Sequence, residues 1–390
     1  MNQNIVNNVE SIKNELNNIS KQLFLNPETT DNEVFACGLL TDYLRENGFE
    51  IEIGIFGHST GFIATFDTGI CGPNVGITAE YDALEGLGHA CGHNLIAASS
   101  VGSAVVLKKM LKKGKITVFG TPGEEGGFNG ASKATYVDNN LFKDIDYSCS
   151  IHPGPDTHLT CDFIACRTLE VEFFGTASHA ATNPELGANA LDAMINFFNM
   201  INAFRQQIKD DVRIHGIITH GGDMPNVIPA YTSSLFYIRA HQKNDVNNIF
   251  DKVLTIANAA AMGSFCDVVT NEVENALDNM VINNTLDRLF ENEFIELGET
   301  IIQAPAANGS TDVGNISHVV PTTHPTIKIG DSSIVYHTPG FAKAASSECG
   351  FEGMLNATKA IVAVVLKISE DEELLKKIKD EFNNNDKKPL

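Results

Sequence analysis

VGITAEYDALEGLGHACGHN, residues 75–94, decides the fold of this chain. VGITAEY (75–81) is too continuously apolar for a half-exposed strand, so it reads as a strand buried on both faces. A glycine-punctuated loop follows. Residues 95–113, rich in Ala, Ser and Leu before a Lys-rich end, then read as a buried helix. The alternation continues: KITVFGTP (115–122) is a strand, a helix opens after Gly130, and DYSCSIHP (146–153) is another strand. Strands alternating with helices predict an α/β fold with a mostly parallel sheet.

Upstream, 5–24 reads as an amphipathic helix and 33–48 as a second one ending at Gly48, followed by strands at 50–55 and 61–67. The middle third changes character. TLEVEFFGTASHA (168–180) is strand then loop, 187–208 a helix, 213–222 and 231–241 strands, 245–262 a helix and 265–273 a strand. That β-α-β-β-α-β order predicts a small ferredoxin-like α+β unit. The opening pattern then resumes with helices near 283–297 and 351–368, and the charged tail from Ser369 reads as a solvated helix with a frayed end. The expected organisation is one α/β domain made of 1–166 and 277–390, interrupted by an inserted domain at 167–276.

The 27 basic and 49 acidic residues leave a formal charge of −22. A surface so acidic repels phosphate backbones and anionic headgroups, which argues against nucleic-acid and peripheral-membrane roles. The opening MNQNIVNNVESIKNELNN lacks a basic stretch followed by an apolar one, and no apolar run reaches the roughly 18 residues of a membrane span. Eight scattered cysteines suggest no disulfide framework. The expected address is the cytoplasm.

Chemistry-bearing residues fall where strands end. Cys91 and His93 follow strand 75–81, Glu124 and Glu125 follow strand 115–121, and His152 follows 147–151. His337 comes after a short predicted strand, IVYH. In open α/β sheets, sites gather beyond the carboxyl ends of strands. Thiolate, imidazole and carboxylate together suit a Zn-like divalent metal, with one carboxylate left over as a general base.

Each residue also has a plain explanation. A lone cysteine is more often a small buried hydrophobe, a glutamate pair a solvated turn, and His152 or His337 a polar loop residue. His89 reads as a packing or outer histidine. The joint pattern outweighs its members. GLGHACG misses the G-x-G-x-x-G spacing, and H-E-x-x-H, G-x-S-x-G, Walker A and C-x-x-C motifs are absent. A cysteine hydrolase using Cys91 stays open at this point, because thiolates are intrinsically reactive. So does a silent binding protein.

AEYDALEGLGHACGHN, TPGEEGG, IHPGP, GTASHAATNPELGANALDA, GGDMPNVIP and HTPGF, in this order, resemble the zinc-dependent aminoacylase/carboxypeptidase family, peptidase family M20. The likeness covers nearly the whole chain. The Cys-Gly-His form resembles the amidohydrolase branch, and Asn94 with STDVGNISHVVPTTHP (310–325) is more similar to aminobenzoyl-glutamate hydrolases and aminoacylase-like β-alanyl dipeptidases. The resemblance implies a metallopeptidase-type catalytic domain with an inserted lid and dimerisation domain, acting on N-acyl amino acids or short peptides as a homodimer or homotetramer. It implies two divalent metal ions, Zn first with Mn, Co or Ni as alternatives, held by Cys91, His93, Glu125, His152 and His337. Glu124 would be the base and Asp82 would orient an imidazole, while Glu80 stands where other branches have a histidine ligand. His179 would stabilise the oxyanion across a dimer interface. Asn226 and Arg239 would hold a substrate carboxylate, and Gly309, Ser310 and Thr311 would form a substrate loop. Strand alternation independently puts Leu235, Tyr237 and Arg239 on one face, where the plain alternative is a surface arginine.

Overall fold

The computed structural model describes residues 1–127, 129–306 and 309–385 of the chain. Two compact units emerge: Met1–Asp162 with Met280–Ala307 and Thr311–Leu390, and Phe163–Asn279 with Asn308–Ser310.

The first unit opens with α1 (Gln3–Leu25) and α2 (Val34–Glu46), then β1 (Glu50–Ile55), β2 (His58–Asp67), β3 (Asn74–Glu80), α3 (His93–Met110), β4 (Lys115–Thr121), α4 (Ser132–Asp138), β5 (Tyr147–Cys149) and β6 (His152–Gly154). Helix α1 buries Ile5, Val9, Ile12, Leu16, Ile19 and Leu23, the three-and-four spacing of a helix with one apolar stripe. Helix α3 is buried from His93 to Leu107, which is why small residues dominate it. Strand β3 is buried from Val75 to Glu80, as its unbroken apolar run requires, and it carries a charge at its last position.

The second unit holds β7 (Ala165–Phe174), α5 (Ala190–Phe204), β8 (Arg213–His220), β9 (Tyr231–Ala240), α6 (Lys243–Gly263) and β10 (Asp267–Asn271). Its sheet is ordered β10-β7-β9-β8, antiparallel throughout. Leu169, Val171, Phe173, Phe236 and Ile238 join Phe197 of α5 and Val253 of α6 in one core. Leu235, Tyr237 and Arg239 share the opposite, partly exposed face of β9, as alternation predicts.

The chain then completes the first unit with α7 (Asn284–Glu296), α8 (Val313–Ser317), β11 (Thr322–Thr323), β12 (Thr326–Lys328), α9 (Pro339–Ala345), α10 (Glu348–Glu370) and α11 (Glu372–Asn385). The main sheet is ordered β1-β2-β4-β3-β5-β11. It is parallel from β4 to β11, while β1 and β2 join antiparallel. Helix α10 is long and apolar enough to cross a membrane, but most of it is buried against α1, α3 and α7.

Two local expectations need correction. DYSCSIHP is not one strand but two, β5 and β6, and β6 leaves the main sheet to pair with β12. IVYH is a turn rather than a strand, because His337 adopts a left-handed backbone (φ 60°) that ends any extended run. The tail forms α11, and residues 386–390 lie outside the described residues.

Candidate metal centre

Parallel pairing of β3 with β4 sets Glu80 opposite Thr121, so both strands deliver their carboxyl ends to the same edge. The loop after β3 carries Asp82 and Cys91, and the loop after β4 carries Glu124 and Glu125. Between Cys91 and His93, Gly92 caps α3 at φ 83°. A Cβ there would lie 2.5 Å from Cγ of Pro153, so only glycine lets the two donors face the β6 segment.

Three sets of donor atoms, each mutually within 4.8 Å, converge here: Cys91 with His93 and His152, Cys91 with Glu125 and His337, and His93 with Glu124 and Glu125. The five residues expected to hold metal and the expected base therefore share one site. Cys91 Sγ lies 3.5 Å from His152 Nε2, and His337 Nε2 lies 3.3 Å from Glu125 Oε2. The His337 backbone N–H donates to the Ala90 carbonyl at 3.0 Å, which ties the left-handed turn to the Cys91 loop.

Outer hydrogen bonds aim the donors. His93 Nδ1 donates to Asp82 Oδ1 at 2.8 Å, while Asp82 Oδ2 accepts the Glu125 backbone N–H at 2.9 Å. His152 Nδ1 donates to the Pro153 carbonyl at 2.7 Å. With Nδ1 protonated, each ring keeps the Nε2 lone pair for the site, the arrangement of metal-binding histidines. His93 Nε2 and Glu125 Oε1 are buried and have no hydrogen-bond partner among the described residues. A divalent cation among them would satisfy both, so the residues fit a metal.

The two glutamates sit in different surroundings. Burial, then the negative charges of Glu80 and Glu125, push the Glu124 carboxyl well above its ordinary value. Burial opposes ionisation of Glu125 too, but the hydrogen bond from His337 and the nearby His93 hold it down at about 2. Burial also pushes the Cys91 thiol well up, unlike the depressed pKa of a nucleophilic cysteine. His89 is buried with Nε2 3.2 Å from the Leu23 carbonyl, a packing role.

Sequence reasoning missed the layer beneath. Lys133 is fully buried and pairs with Glu80 at 2.9 Å and Asp312 at 2.5 Å. His324, also buried, sits 2.8 Å from Ser150 Oγ and 5.6 Å, ring to ring, from His152. One signal pointed there: a glutamate ending a wholly buried strand demands a cation. Thr311 is buried too.

The second unit holds the other expected site residues. His179 is exposed, and its Nδ1 accepts the backbone N–H groups of Ala181 at 3.3 Å and Thr182 at 3.2 Å. Its proton therefore sits on Nε2, leaving a hydrogen-bond donor. The Asn226 carbonyl accepts from Ala180 at 3.0 Å. Arg239 Nη1 donates to Ser310 Oγ at 3.3 Å, and the Gly309 carbonyl accepts from Ile164 at 3.0 Å. Arg239 forms no salt bridge among the described residues.

Residues 167–263 match the family described as the peptidase dimerisation domain, M20_dimer. The chain is 34% identical to the human Xaa-Arg dipeptidase over 79% of this chain and 72% of that protein. It is 27% identical to one of the subunits of the p-aminobenzoyl-glutamate hydrolase of Escherichia coli K12, over 96% and 93% of the two chains. Among solved structures, a dinuclear metal binding peptidase from the M20 family of Bacillus subtilis superposes with a TM-score of 0.67 over 92% of this chain and 99% of that one, at 18% identity. That likeness speaks to the fold.

Proposed function

Since the chain belongs to the M20 peptidase family of metal-dependent amidohydrolases, we propose that it hydrolyses the amide bond of a dipeptide or N-acyl amino acid with a free carboxylate beside the scissile bond. The observation that carries this reading is the convergence of Cys91, His93, Glu125, His152 and His337 on one site, with Glu124 at its edge. These five would hold two divalent ions, zinc first, with Mn, Co or Ni as alternatives. Bound there, the metal supplies Lewis acidity and lowers the pKa of water toward about 7.

The rest of the chemistry falls to the chain. Glu124 takes the proton of the attacking water and delivers it to the leaving amine. Asp82 keeps His93 in the tautomer protonated on Nδ1, with the Nε2 lone pair left for the site. His179 offers its Nε2–H to the developing oxyanion, the role the family resemblance carries over. Arg239, which forms no salt bridge among the described residues, would offer its guanidinium to a substrate carboxylate, with Asn226 and the Gly309–Thr311 loop as further substrate contacts. The dimerisation-domain match supports a homodimer, and pairing of dimers into a tetramer belongs to the same proposal. Eight free cysteines fit a cytoplasmic, reducing address.

The names of the two relatives supply dipeptides ending in arginine and aminobenzoyl-glutamate as substrates to test, and the family resemblance adds N-acetyl, N-benzoyl and β-alanyl amino acids. We expect turnover of at least one class, loss on chelation, and recovery with Zn²⁺, Mn²⁺, Co²⁺ or Ni²⁺. Full activity in protein shown to be free of metal would overturn the reading.

A further inference from the structure

Three carboxylates face the Nε2 atom of His93: Glu80 at 3.7 Å, Glu125 at 3.8 Å and Glu124 at 3.9 Å. Distance alone does not separate them, yet Glu80 is in none of the three donor sets. The difference lies behind it. Glu80 Oε1 is 2.9 Å from Lys133 Nζ, and both side chains are buried. Lys133 is fixed in turn by Asp312, which accepts from its ammonium at 2.5 Å and from its backbone N–H at 3.1 Å. Asp312 is the residue before α8, but its side chain does not cap that helix; its carboxylate is committed to Lys133.

We propose that Lys133 is a positioning residue that decides which carboxylates hold metal: by anchoring Glu80 as an ion-pair partner, it keeps that carboxylate out of the coordination shell. An ammonium suits the task because it is a compact, strongly hydrated point charge that seldom stays buried without carboxylate partners. The ammonium is held between two carboxylates, Glu80 at 2.9 Å and Asp312 at 2.5 Å, and all three side chains are buried. A carboxylate released from it would lie within reach of a metal on His93, and an added oxygen donor would raise the coordination number and shift the preference toward harder cations. This inference rests on the reading that the cluster binds metal, which the wild-type protein tests first: if it takes up no metal, that reading fails and the role of Lys133 is not at issue.

The experiment uses full-length protein stripped of metal and titrated with Co²⁺, whose visible spectrum reports coordination number. Lys133→Met removes the ammonium at similar length. We expect its Co²⁺ bands to weaken and shift toward higher coordination, with affinity changed by about tenfold or more. Adding Glu80→Gln should return the wild-type spectrum, and Lys133→Arg, which keeps the cation, should retain it. A purely structural or field effect would alter stability or affinity and leave the spectrum unchanged; that result overturns the proposal. If Lys133→Met does not fold, Glu80→Gln alone decides. The wild-type spectrum supports exclusion of Glu80, whereas loss of a metal equivalent or a changed spectrum makes Glu80 a ligand and overturns it.

Discussion

Asp82 sits 2.8 Å from the Nδ1 atom of His93 and spends its second oxygen, at 2.9 Å, on the backbone N–H of Glu125. One side chain thereby aims an imidazole and pins the loop of two glutamates. Asp82→Asn keeps the shape but replaces the anionic acceptor with an amide. Metal affinity should fall by about 10- to 100-fold, the range for outer partners of metal ligands, measured by competition with a chromophoric chelator. An unchanged affinity would leave Asp82 a packing residue.

Glu124→Gln separates base from ligand. The variant should bind metal in wild-type amount and lose about 10²–10⁴-fold or more in kcat. Metal analysis and turnover on the same preparation read both quantities. Near-normal turnover would remove the proton shuttle from Glu124.

Gly92→Ala should harm both fold and site. The left-handed backbone at φ 83° costs a non-glycine residue about 1–2 kcal/mol, and contact with Pro153 adds to it. Thermal unfolding of the metal-free protein should register a lowered midpoint, and metal uptake should weaken because His93 and the β6 segment are pushed apart.

Glu33 gives stability a pH dependence of its own. Burial, with a weaker push from Asp82, raises its carboxyl to about 7 from an ordinary 4.5. The folded state then holds a proton that the unfolded state has released, so stability falls as pH rises from about 4.5 to 7. The loss is on the order of 3 kcal/mol. Glu33→Gln should remove it: the gap in urea midpoint between variant and wild type should shift in favour of the variant from pH 5 to pH 8. A constant gap would refute the buried-acid account.

Mixing inactive Glu124→Gln and His179→Ala proteins tests whether one subunit completes its partner's site. Hybrid dimers should regain part of the wild-type activity once subunit exchange has been verified by a tagged copy. No recovery would restrict His179 to its own chain or remove it from catalysis.

Much of this molecule is legible along residues 75–94. A strand buried on both faces must be apolar throughout, and β3 obeys that rule until Glu80. The tight loop after it needs glycines, and Gly92 marks the hinge between two donors. The middle unit is legible because β9 alternates from Leu235 to Ala240 and the covering helices α5 and α6 each bury one apolar stripe. Position 337 is harder to read: Val335 and Tyr336 favour strands by type, and only the hydrogen bond to Ala90 shows why the chain turns there instead. Lys133 is harder still. Between small residues in ASKATY it reads as a surface lysine, and its partners lie far away in sequence at Glu80 and Asp312. Local pattern carries no information about such pairings.

The first unit is also assembled from two stretches of chain. β11 and β12 seal it against β5 and β6, yet they are synthesised only after the whole of Phe163–Asn279. A nascent chain must therefore leave β5 without one neighbour, and Lys133 without Asp312, while the ribosome makes the intervening segment. Long-range pairings of this kind are slow to form and expose unsatisfied edges meanwhile. Until the last stretch is made, the edge of β5 that β11 will cover stays open, and that edge is where the growing chain is exposed to mispairing.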